Sequence, residues 1–380
     1  MQEKFNVLIG DVNPVTIGIM TKAAFSIPGV VVTAGVRSSG MLLAKLKHQE
    51  LDLLIIDLDS EDMGGVAVID QIRKINSDIT ILVVSDPETA NPELAVKALE
   101  KGVHDCIAKP NDAATRSYGE FRLQLVTITG LIRSRKSFQS KRVSVTRKES
   151  IPCVDKRIEK KSALPGVIIP SSKPCSGKIK SRITKVKVVV IASSTGGPGA
   201  LIEILPGFPA DFGVPVLLVQ HMPSHMTASF AKSLNKKSAV DVVEAMEGEV
   251  ILPSKVYIAP GGRHMAITIK DGENRRFITL NDDPPENSVR PSADILFRSV
   301  ADSYNGGVLA VVLTGMGEDG KKGVEAMKIK GCLCFSQSPE SCVVYGMPRA
   351  VDSAGLSDES ISLDCIAARI VSAVQKGELN

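Results

Sequence analysis

A serine, a histidine and an aspartate each follow a short apolar run in the second half of the chain. Ser194 follows VKVVVIAS, His221 follows VPVLLVQ, and Asp319 lies in GMGEDG at the end of GVLAVVLTG. A serine hydroxyl is a weak nucleophile near pH 7 and needs a nearby base, for which imidazole is suited. A carboxylate can orient that imidazole and stabilise its charged form. The three residue types therefore predict acyl transfer if the fold brings them together.

The elements around these residues favour such a convergence. The apolar runs are rich in β-branched residues, and amphipathic segments such as ADILFRSVADSY and KKGVEAMKIKG lie between them. Strands that alternate with helices predict a doubly wound parallel α/β sheet, in which all strands end at one edge. Glycines at 196, 197, 315 and 317 would let backbone amides approach a developing oxyanion.

The serine itself has alternatives. Ser193 and Ser194 stand side by side, and Ser194 is favoured because it precedes Thr-Gly-Gly. The same residues could simply cap the helix that follows. A Walker loop and a GxGxxG fingerprint are both absent, and Ala192 occupies the place of the first glycine of a GxSxG elbow.

The assignments of Asp319 and His221 also have alternatives. The orienting acid could instead be Asp282, Asp283 or Asp294, although NDDPPE is typical of a surface loop. His225 follows His221 at a spacing used for metals on a helix, but an intervening proline and the lack of a nearby acid argue against zinc.

The first half shows a second cluster of polar residues at strand ends. Five apolar runs alternate with helical patterns, which again predicts a parallel sheet. Asp11, Asp57, Ser85 and Lys109 follow or end four of these runs. Two carboxylates, a hydroxyl and a lysine at one edge suit a Mg²⁺ site with a phosphorylatable aspartate. A structural ion pair is the alternative.

The middle of the chain, residues 131–185, loses the apolar pattern. The stretch 131–187 holds 17 Lys and Arg against 3 Asp and Glu, although the whole chain has a net charge of only +4. This composition predicts a disordered spacer, with binding to nucleic acid or a membrane surface as the alternative. One folded part is thus expected at 1–130 and a second at 186–380.

The composition predicts the cellular compartment of the protein and argues against several classes of protein. The 380 residues contain no apolar run long enough for a membrane span and no secretory signal. Seven scattered cysteines without a CxxC pair favour reduced thiols, hence a cytoplasmic protein. The absence of Trp and 4% aromatic content argue against base stacking on nucleic acid.

Residues 4–130 resemble bacterial response-regulator receiver domains. The resemblance implies a flavodoxin-like fold with Asp57 as phosphoacceptor, Asp11 and Asp57 as Mg²⁺ ligands, and Ser85 and Lys109 as the switch residues. The phosphodonor would be a chemotaxis histidine kinase.

Three positions depart from that family's pattern. Gly10 stands where the family usually has an acid, Cys106 where an aromatic is usual, and Glu61 where a proline is usual. The missing acid is expected to weaken Mg²⁺ binding, and the missing ring puts the usual aromatic switch in doubt.

Residues 186–375 are similar to chemotaxis protein-glutamate methylesterases. The motifs that match, in order, are IASSTGGPGAL, VQHMPSHMTASFA, VYIAPGGRHM, RPSADILFRSVA, LTGMGEDGKKG and CVVYGMPRA. The resemblance implies Ser194 as nucleophile, His221 as general base and acid, and Asp319 as orienting carboxylate. It also implies a Met316 amide in the oxyanion hole and a site lined by Thr195 and His264, without a cofactor in this domain.

The family implies phosphorylation-controlled hydrolysis of glutamate γ-methyl esters on chemoreceptors, and often deamidation of their glutamines. Such a protein would be monomeric, peripheral to receptor arrays at the inner membrane and not inserted in it, with no nucleic-acid partner. The alternative function is a receiver-coupled interaction module with little or no esterase activity. Phosphorylation-controlled nucleic-acid binding is a third class, which rests on the basic spacer alone.

Overall fold

Two parallel sheets, one in each half of the chain, form the framework of the protein. The computed structural model describes residues 4–86, 91–110, 116–143, 185–269 and 275–376. Within these ranges, none of the helices combines the length and the apolar content that crossing a bilayer requires.

The first sheet has five strands in the order β2-β1-β3-β4-β5, with every neighbouring pair parallel. Its strands are β1 (Phe5–Gly10), β2 (Val30–Val36), β3 (Leu53–Asp57), β4 (Thr80–Ser85) and β5 (Asp105–Ala108). The helices are α1 (Pro14–Phe25), α2 (Ser39–His48), α3 (Ala67–Ile75), α4 (Pro92–Glu100) and α5 (Arg116–Val143). The central strands are buried along their whole length, which is why they are continuous apolar runs in the sequence.

The second sheet has seven strands, all parallel, in the order β14-β13-β12-β6-β7-β9-β8. The strands are β6 (Val188–Ser193), β7 (Val216–Gln220), β8 (Asp241–Glu244), β9 (Lys255–Ile258), β12 (Val308–Val312), β13 (Leu333–Gln337) and β14 (Glu359–Ile361). The helices are α6 (Gly197–Ile204), α7 (Ser224–Lys237), α8 (Ala293–Tyr304), α9 (Lys321–Ile329), α10 (Met347–Ser353) and α11 (Leu363–Lys376). The expected doubly wound α/β architecture is confirmed in both halves.

An antiparallel hairpin interrupts the second α/β unit and was not predicted. It consists of β10 (His264–Ile269) and β11 (Arg276–Asn281). Met265, Ile267 and Ile278 bury one side of it against α8 and the large sheet. The hairpin fixes the segment that leads into α8, which carries part of the candidate site.

The last helix of the first half is longer than the sequence pattern indicates. We expected the spacer to begin at residue 131, but α5 continues to Val143, and Ile132 packs against the core formed by Phe5, Phe121 and Leu125. The helix extends past residue 131 because Lys and Arg are good helix formers even where no apolar stripe continues. Residues 144–184, which hold most of the basic stretch, lie outside the described residues.

The two α/β units touch through α4 and α7. Glu100 at the end of α4 accepts a hydrogen bond from the hydroxyl of Ser233 and lies 3.1 Å from Lys237 Nζ. Met226 on α7 is 1% exposed and belongs to the same apolar cluster as the core of the first unit. The first unit therefore covers part of the second one next to the strand ends.

Candidate active site

Ser194 and His221 occupy equivalent positions at the ends of two neighbouring strands. Ser193 pairs with Gln220 in the register of β6 and β7, and the His221 amide donates to the Ser193 carbonyl at 3.0 Å. The next residue on each strand is therefore Ser194 and His221, one strand spacing of about 4.8 Å apart. Ser194 is partly exposed and its hydroxyl makes no hydrogen bond with any described residue. Catalytic hydrogen bonds are often formed only once substrate is bound.

The side chain of the neighbouring Ser193 points into the protein interior. It is fully buried, and its hydroxyl donates to Gln220 Oε1 at 2.7 Å. Of the two adjacent serines, only Ser194 is reachable from the strand-end edge, which supports it as the nucleophile.

Gln220 ties the two strand ends together and was not singled out from the sequence. Its Nε2 donates to the backbone carbonyls of Ser194 at 3.0 Å and His221 at 2.9 Å. A side chain at Gly197 would bring its Cβ to 2.1 Å from Gln220 Oε1, so this glycine leaves room for the amide. A glutamine that ends a buried run directly before a candidate base is the signal that could have revealed it.

His221 and Asp319 form the second part of the site. His221 Nε2 lies 2.9 Å from Asp319 Oδ2, and the carboxylate side chain is only 3% exposed. Burial by itself raises the pKa of Asp319, but the hydrogen bond and charge of His221, with bonds from Ser292 and Ala293, hold that pKa well below its ordinary value. An ionised Asp319 accepts the Nε2 proton, which leaves Nδ1 as the basic nitrogen.

Asp319 is held in place by the first turn of α8. Ser292 Oγ donates to Oδ1 at 2.7 Å, and the Ala293 amide donates to Oδ2 at 2.6 Å. The Asp294 amide and Asn287 Nδ2 also reach Oδ1, at 3.2 and 2.9 Å. The partial positive charge of a helix N-terminus favours an anion at this point. The carboxylate is therefore fixed from both sides before any substrate arrives.

The three other acids that could have oriented His221 lie elsewhere in the structure. Asp294 is buried and accepts hydrogen bonds from the Gly323 amide at 2.7 Å and from Asn287 Nδ2 at 2.8 Å. Its pKa is raised by burial, and the nearby charge of Asp319 adds to this. Asp282 and Asp283 are exposed. Of these four acids, Asp319 is the one at hydrogen-bond distance from His221.

His264 does not line the cleft, contrary to our expectation. It is fully buried at the start of β10, its Nδ1 accepts from the Ser292 amide at 3.1 Å, and its Nε2 donates to the Pro284 carbonyl at 3.2 Å. The ring thereby supports the turn before α8, whose Ser292 hydroxyl contacts Asp319. This role could not be read from the sequence because the partners come from distant segments.

The loop after β12 lies against the nucleophile. Gly315 packs so closely that an added Cβ would lie 2.8 Å from Ser194 Cβ and 2.4 Å from Met347 Sδ. Its carbonyl accepts from the Met347 amide at 2.9 Å. The amide of the next residue, Met316, donates no hydrogen bond to the described part of the chain, so it is available for an oxyanion.

Thr195 faces the first unit rather than an open cleft. It is 8% exposed, and its side chain faces Asp105 at the start of β5 closely enough to influence the pKa of that carboxyl. With His104 and Val343 it lines a small cavity between the two units. Burial raises the pKa of Asp105 to about 7, although the Cys106 amide and the Thr195 side chain act in the opposite direction. The residue next to the candidate nucleophile is therefore covered by the first unit.

The strand ends of the first sheet bring together the predicted acidic cluster. Lys109 Nζ lies 2.8 Å from Asp57 Oδ2 and 3.1 Å from Asp11 Oδ2, and all three side chains are largely buried. Ser85 ends the neighbouring strand and is 4% exposed. Burial raises the pKa of Asp11, against the lowering effects of the Asn13 amide and Lys109.

This cluster fits a divalent cation in part. Asp11 Oδ2 is buried and, apart from the charge of Lys109, has no hydrogen-bond partner among the described residues, so a lone pair is free. Carboxylate oxygens are the ligands that Mg²⁺ prefers. The position of the missing acid is crowded, because a Cβ on Gly10 would lie 2.6 Å from Met63 Cε, the end of a flexible side chain, and 3.2 Å from Leu42 Cδ1.

His225 is placed apart from His221. It lies on α7, its Nε2 is buried without a hydrogen-bond partner in the described part of the chain, and burial lowers its pKa despite the charge of Asp59. In the same ranges no three His, Cys, Asp or Glu side chains cluster as a metal site would require. His221 Nε2 lies at hydrogen-bond distance from Asp319, so this nitrogen is not free for a metal.

Two family models match the chain. The CheB methylesterase model matches residues 189–370, and the response regulator receiver domain model matches residues 7–115. These ranges coincide with the two parallel sheets described above.

Similar proteins match both halves together. A protein-glutamate methylesterase/protein-glutamine glutaminase of Desulfotalea psychrophila is 38% identical over 360 residues, covering 92% of this chain and 93% of its own. One of the same name from Colwellia psychrerythraea is 34% identical over 335 residues, covering 86% and 87%. Among solved structures, the Thermotoga maritima CheB methylesterase catalytic domain is 39% identical, covers 50% of this chain and 100% of its own, and has a TM-score of 0.48.

Proposed function

The chain belongs to the protein-glutamate methylesterases that carry a receiver domain, and from this premise we propose that it hydrolyses glutamate γ-methyl esters on chemoreceptors. The observation that carries the proposal is the pair of His221 and Asp319, held 2.9 Å apart beside Ser194. Glutamine side chains differ from the ester only in the leaving group, so deamidation uses the same residues.

The geometry supports a two-step acyl transfer. His221 Nδ1 takes the proton of Ser194 as Oγ attacks the ester carbonyl, while Asp319 stabilises the imidazolium through Nε2–H. The Met316 amide donates to the oxyanion. His221 then gives its proton to the departing methoxide, so methanol leaves an acyl-serine. Water, deprotonated by the same nitrogen, releases the glutamate carboxylate and restores the serine.

We propose Asp57 as the phosphoacceptor of the receiver domain, with a histidine kinase as phosphodonor. Asp11 and Asp57 would hold Mg²⁺, which shields the charge of the incoming phosphoryl group when bound. Lys109 and Ser85 stand where phosphate oxygens would contact them. The partial fit at Gly10 supports weak binding of the cation.

Phosphorylation would act by loosening the contact between the two units. In the described state the receiver covers Thr195, the residue after the nucleophile, and holds α7 through Glu100. A receptor side chain needs access to Ser194, so release of this contact raises the reaction rate. We further propose a cytoplasmic monomer that works at receptor arrays on the inner membrane without insertion.

The test is methanol release from methylated receptor membranes by the full chain in the presence of a phosphodonor. Ser194→Ala should abolish release, whereas Ser193→Ala should leave a measurable fraction of it. Equal release by Ser194→Ala and wild type would contradict the esterase mechanism. No release by the wild type, with intact binding to receptor membranes, would favour the interaction module instead.

A further inference from the structure

A polar cleft adjoins the nucleophile loop on the catalytic domain. Its volume is about 510 Å³, and its lining includes Gly317, Glu318, Lys321, Tyr345, Gly346 and Arg349. A Cβ on Gly346 would lie 2.6 Å from the Gly315 carbonyl oxygen, and Gly315 itself packs on Ser194 Cβ. The cleft is thus separated from the reacting serine by one layer of backbone.

Arg349 is the unpaired charge of this cleft. It is exposed on α10 and forms no hydrogen bond or ion pair with any described residue. The nearby carboxylate of Asp352 is already occupied, since it accepts from the hydroxyls of Tyr345 at 2.5 Å and Ser336 at 2.6 Å. Arg349 therefore has all its donors free at the rim of the site.

The other charges limit what the cleft can bind. Lys321 Nζ lies 3.9 Å from Glu318 Oε2, so these two largely offset each other. Arg349 is thus the cation of the lining that has no acidic partner at ion-pair distance among the described residues, which suits one carboxylate rather than a polyanion. A guanidinium presents a planar fork of donors that matches a carboxylate and holds it in a fixed orientation.

We propose that Arg349 is a specificity-determining residue that binds an acidic side chain of the substrate protein next to the reacting ester. This inference rests on the proposed function. On a helix, residues three or four positions from the ester share its face, so an acidic residue there would reach the cleft while the ester reaches Ser194.

The experiment compares helical peptides that carry one glutamate γ-methyl ester. Three otherwise identical peptides have Glu, Gln or Lys at the positions three and four residues to either side of it. Methanol release by the full chain, with acetyl phosphate and Mg²⁺ present, gives kcat/KM for each peptide. The variants are Arg349→Gln and Arg349→Glu, and the matched control is Lys322→Gln, an exposed residue of α9 outside the cleft.

We expect the wild type and Lys322→Gln to prefer the Glu peptide over the Gln peptide by about fivefold, the size of a rim ion pair. Arg349→Gln should lose this preference, and Arg349→Glu should prefer the Lys peptide. An unchanged preference in Arg349→Gln, or none in the wild type, would overturn the inference. Release from no peptide by the wild type, at the level of Ser194→Ala, would overturn the proposed function and this inference with it.

Discussion

His221 Nε2 lies 2.9 Å from Asp319 Oδ2, and that carboxylate is itself fastened to the first turn of α8. The helix N-terminus, the Ser292 hydroxyl and the imidazole all favour the ionised acid. One tautomer of His221 follows, with the proton on Nε2 and the basic nitrogen facing away from Asp319. The carboxylate therefore decides which histidine atom can act as base.

Replacing this carboxylate should disable the base without removing the side chain. In Asp319→Asn the amide would favour the other tautomer, and we expect kcat to fall by about 10³-fold or more. The measurement is methanol release under saturating substrate. Asp302→Asn, an exposed change on α8, serves as control and should keep wild-type kcat. A loss of less than about tenfold in Asp319→Asn would show that another group orients the imidazole.

Gln220 should matter for rate more than for substrate binding. In Gln220→Glu the Oε1 contact to Ser193 can persist, but the donor to the Ser194 and His221 carbonyls is lost and replaced by an acceptor. Because the two strand ends then shift, we expect kcat to fall about 10- to 100-fold with a small change in KM. Thermal unfolding of the same variant reports how much stability is lost, which we expect to be about 1–3 kcal/mol. An unchanged kcat would mean that the strands alone fix the geometry.

The sequence was sufficient for the strands and for the three polar residues that follow them. Buried parallel strands are continuous apolar runs, so their positions and the edge where they end can be inferred without a structure. The short outer strands β8 and β14 and the β10–β11 hairpin were missed because they are partly exposed and lack such runs.

Most of the supporting contacts could not be inferred because the residues that make them are far apart in sequence. His264 contacts Ser292, and Gln220 contacts the Ser193 hydroxyl and the Ser194 carbonyl on the neighbouring strand. The contact of Thr195 with Asp105 joins the two halves of the chain and depends on how they pack. Periodicity describes single elements, and none of these contacts lies within one element.

Incorporation of phosphate should depend on Asp57, and binding of Mg²⁺ beside it should depend on the space available at Gly10. Asp57→Asn should incorporate no label from a radiolabelled phosphodonor, whereas the exposed Asp62→Asn should incorporate as much as wild type. Full labelling of Asp57→Asn would place the phosphoacceptor elsewhere.

Adding a carboxylate at position 10, with room made for it, should raise the affinity of the acidic cluster for Mg²⁺. Gly10→Asp together with Met63→Ala supplies a third carboxylate and removes the methyl group that blocks it, so we expect at least about tenfold tighter Mg²⁺ binding by calorimetry. Met63→Ala alone is the control and should bind Mg²⁺ as the wild type does. Equal affinity of the double variant and this control would show that the new acid does not reach the ion.

Asp105 should make the contact between the two units sensitive to pH. The closed state is the described arrangement, in which the first unit covers Thr195, and in the open state this contact is released. Its pKa is raised to about 7 in the described state, whereas an exposed aspartate has a pKa of about 3.9. The closed state thus keeps a proton that the open state releases. The free-energy advantage of the closed state is complete below about pH 4 and is lost as the pH rises to about 7.

Activity of the unphosphorylated chain, divided by that of Asp105→Asn, should therefore rise several-fold from pH 5.5 to 7.5 and then level off. The quotient removes any pH dependence of the reaction itself that both proteins share. Asp302→Asn, compared in the same way, should give a flat quotient, and a flat quotient for Asp105→Asn as well would show that this carboxyl does not hold the two units together.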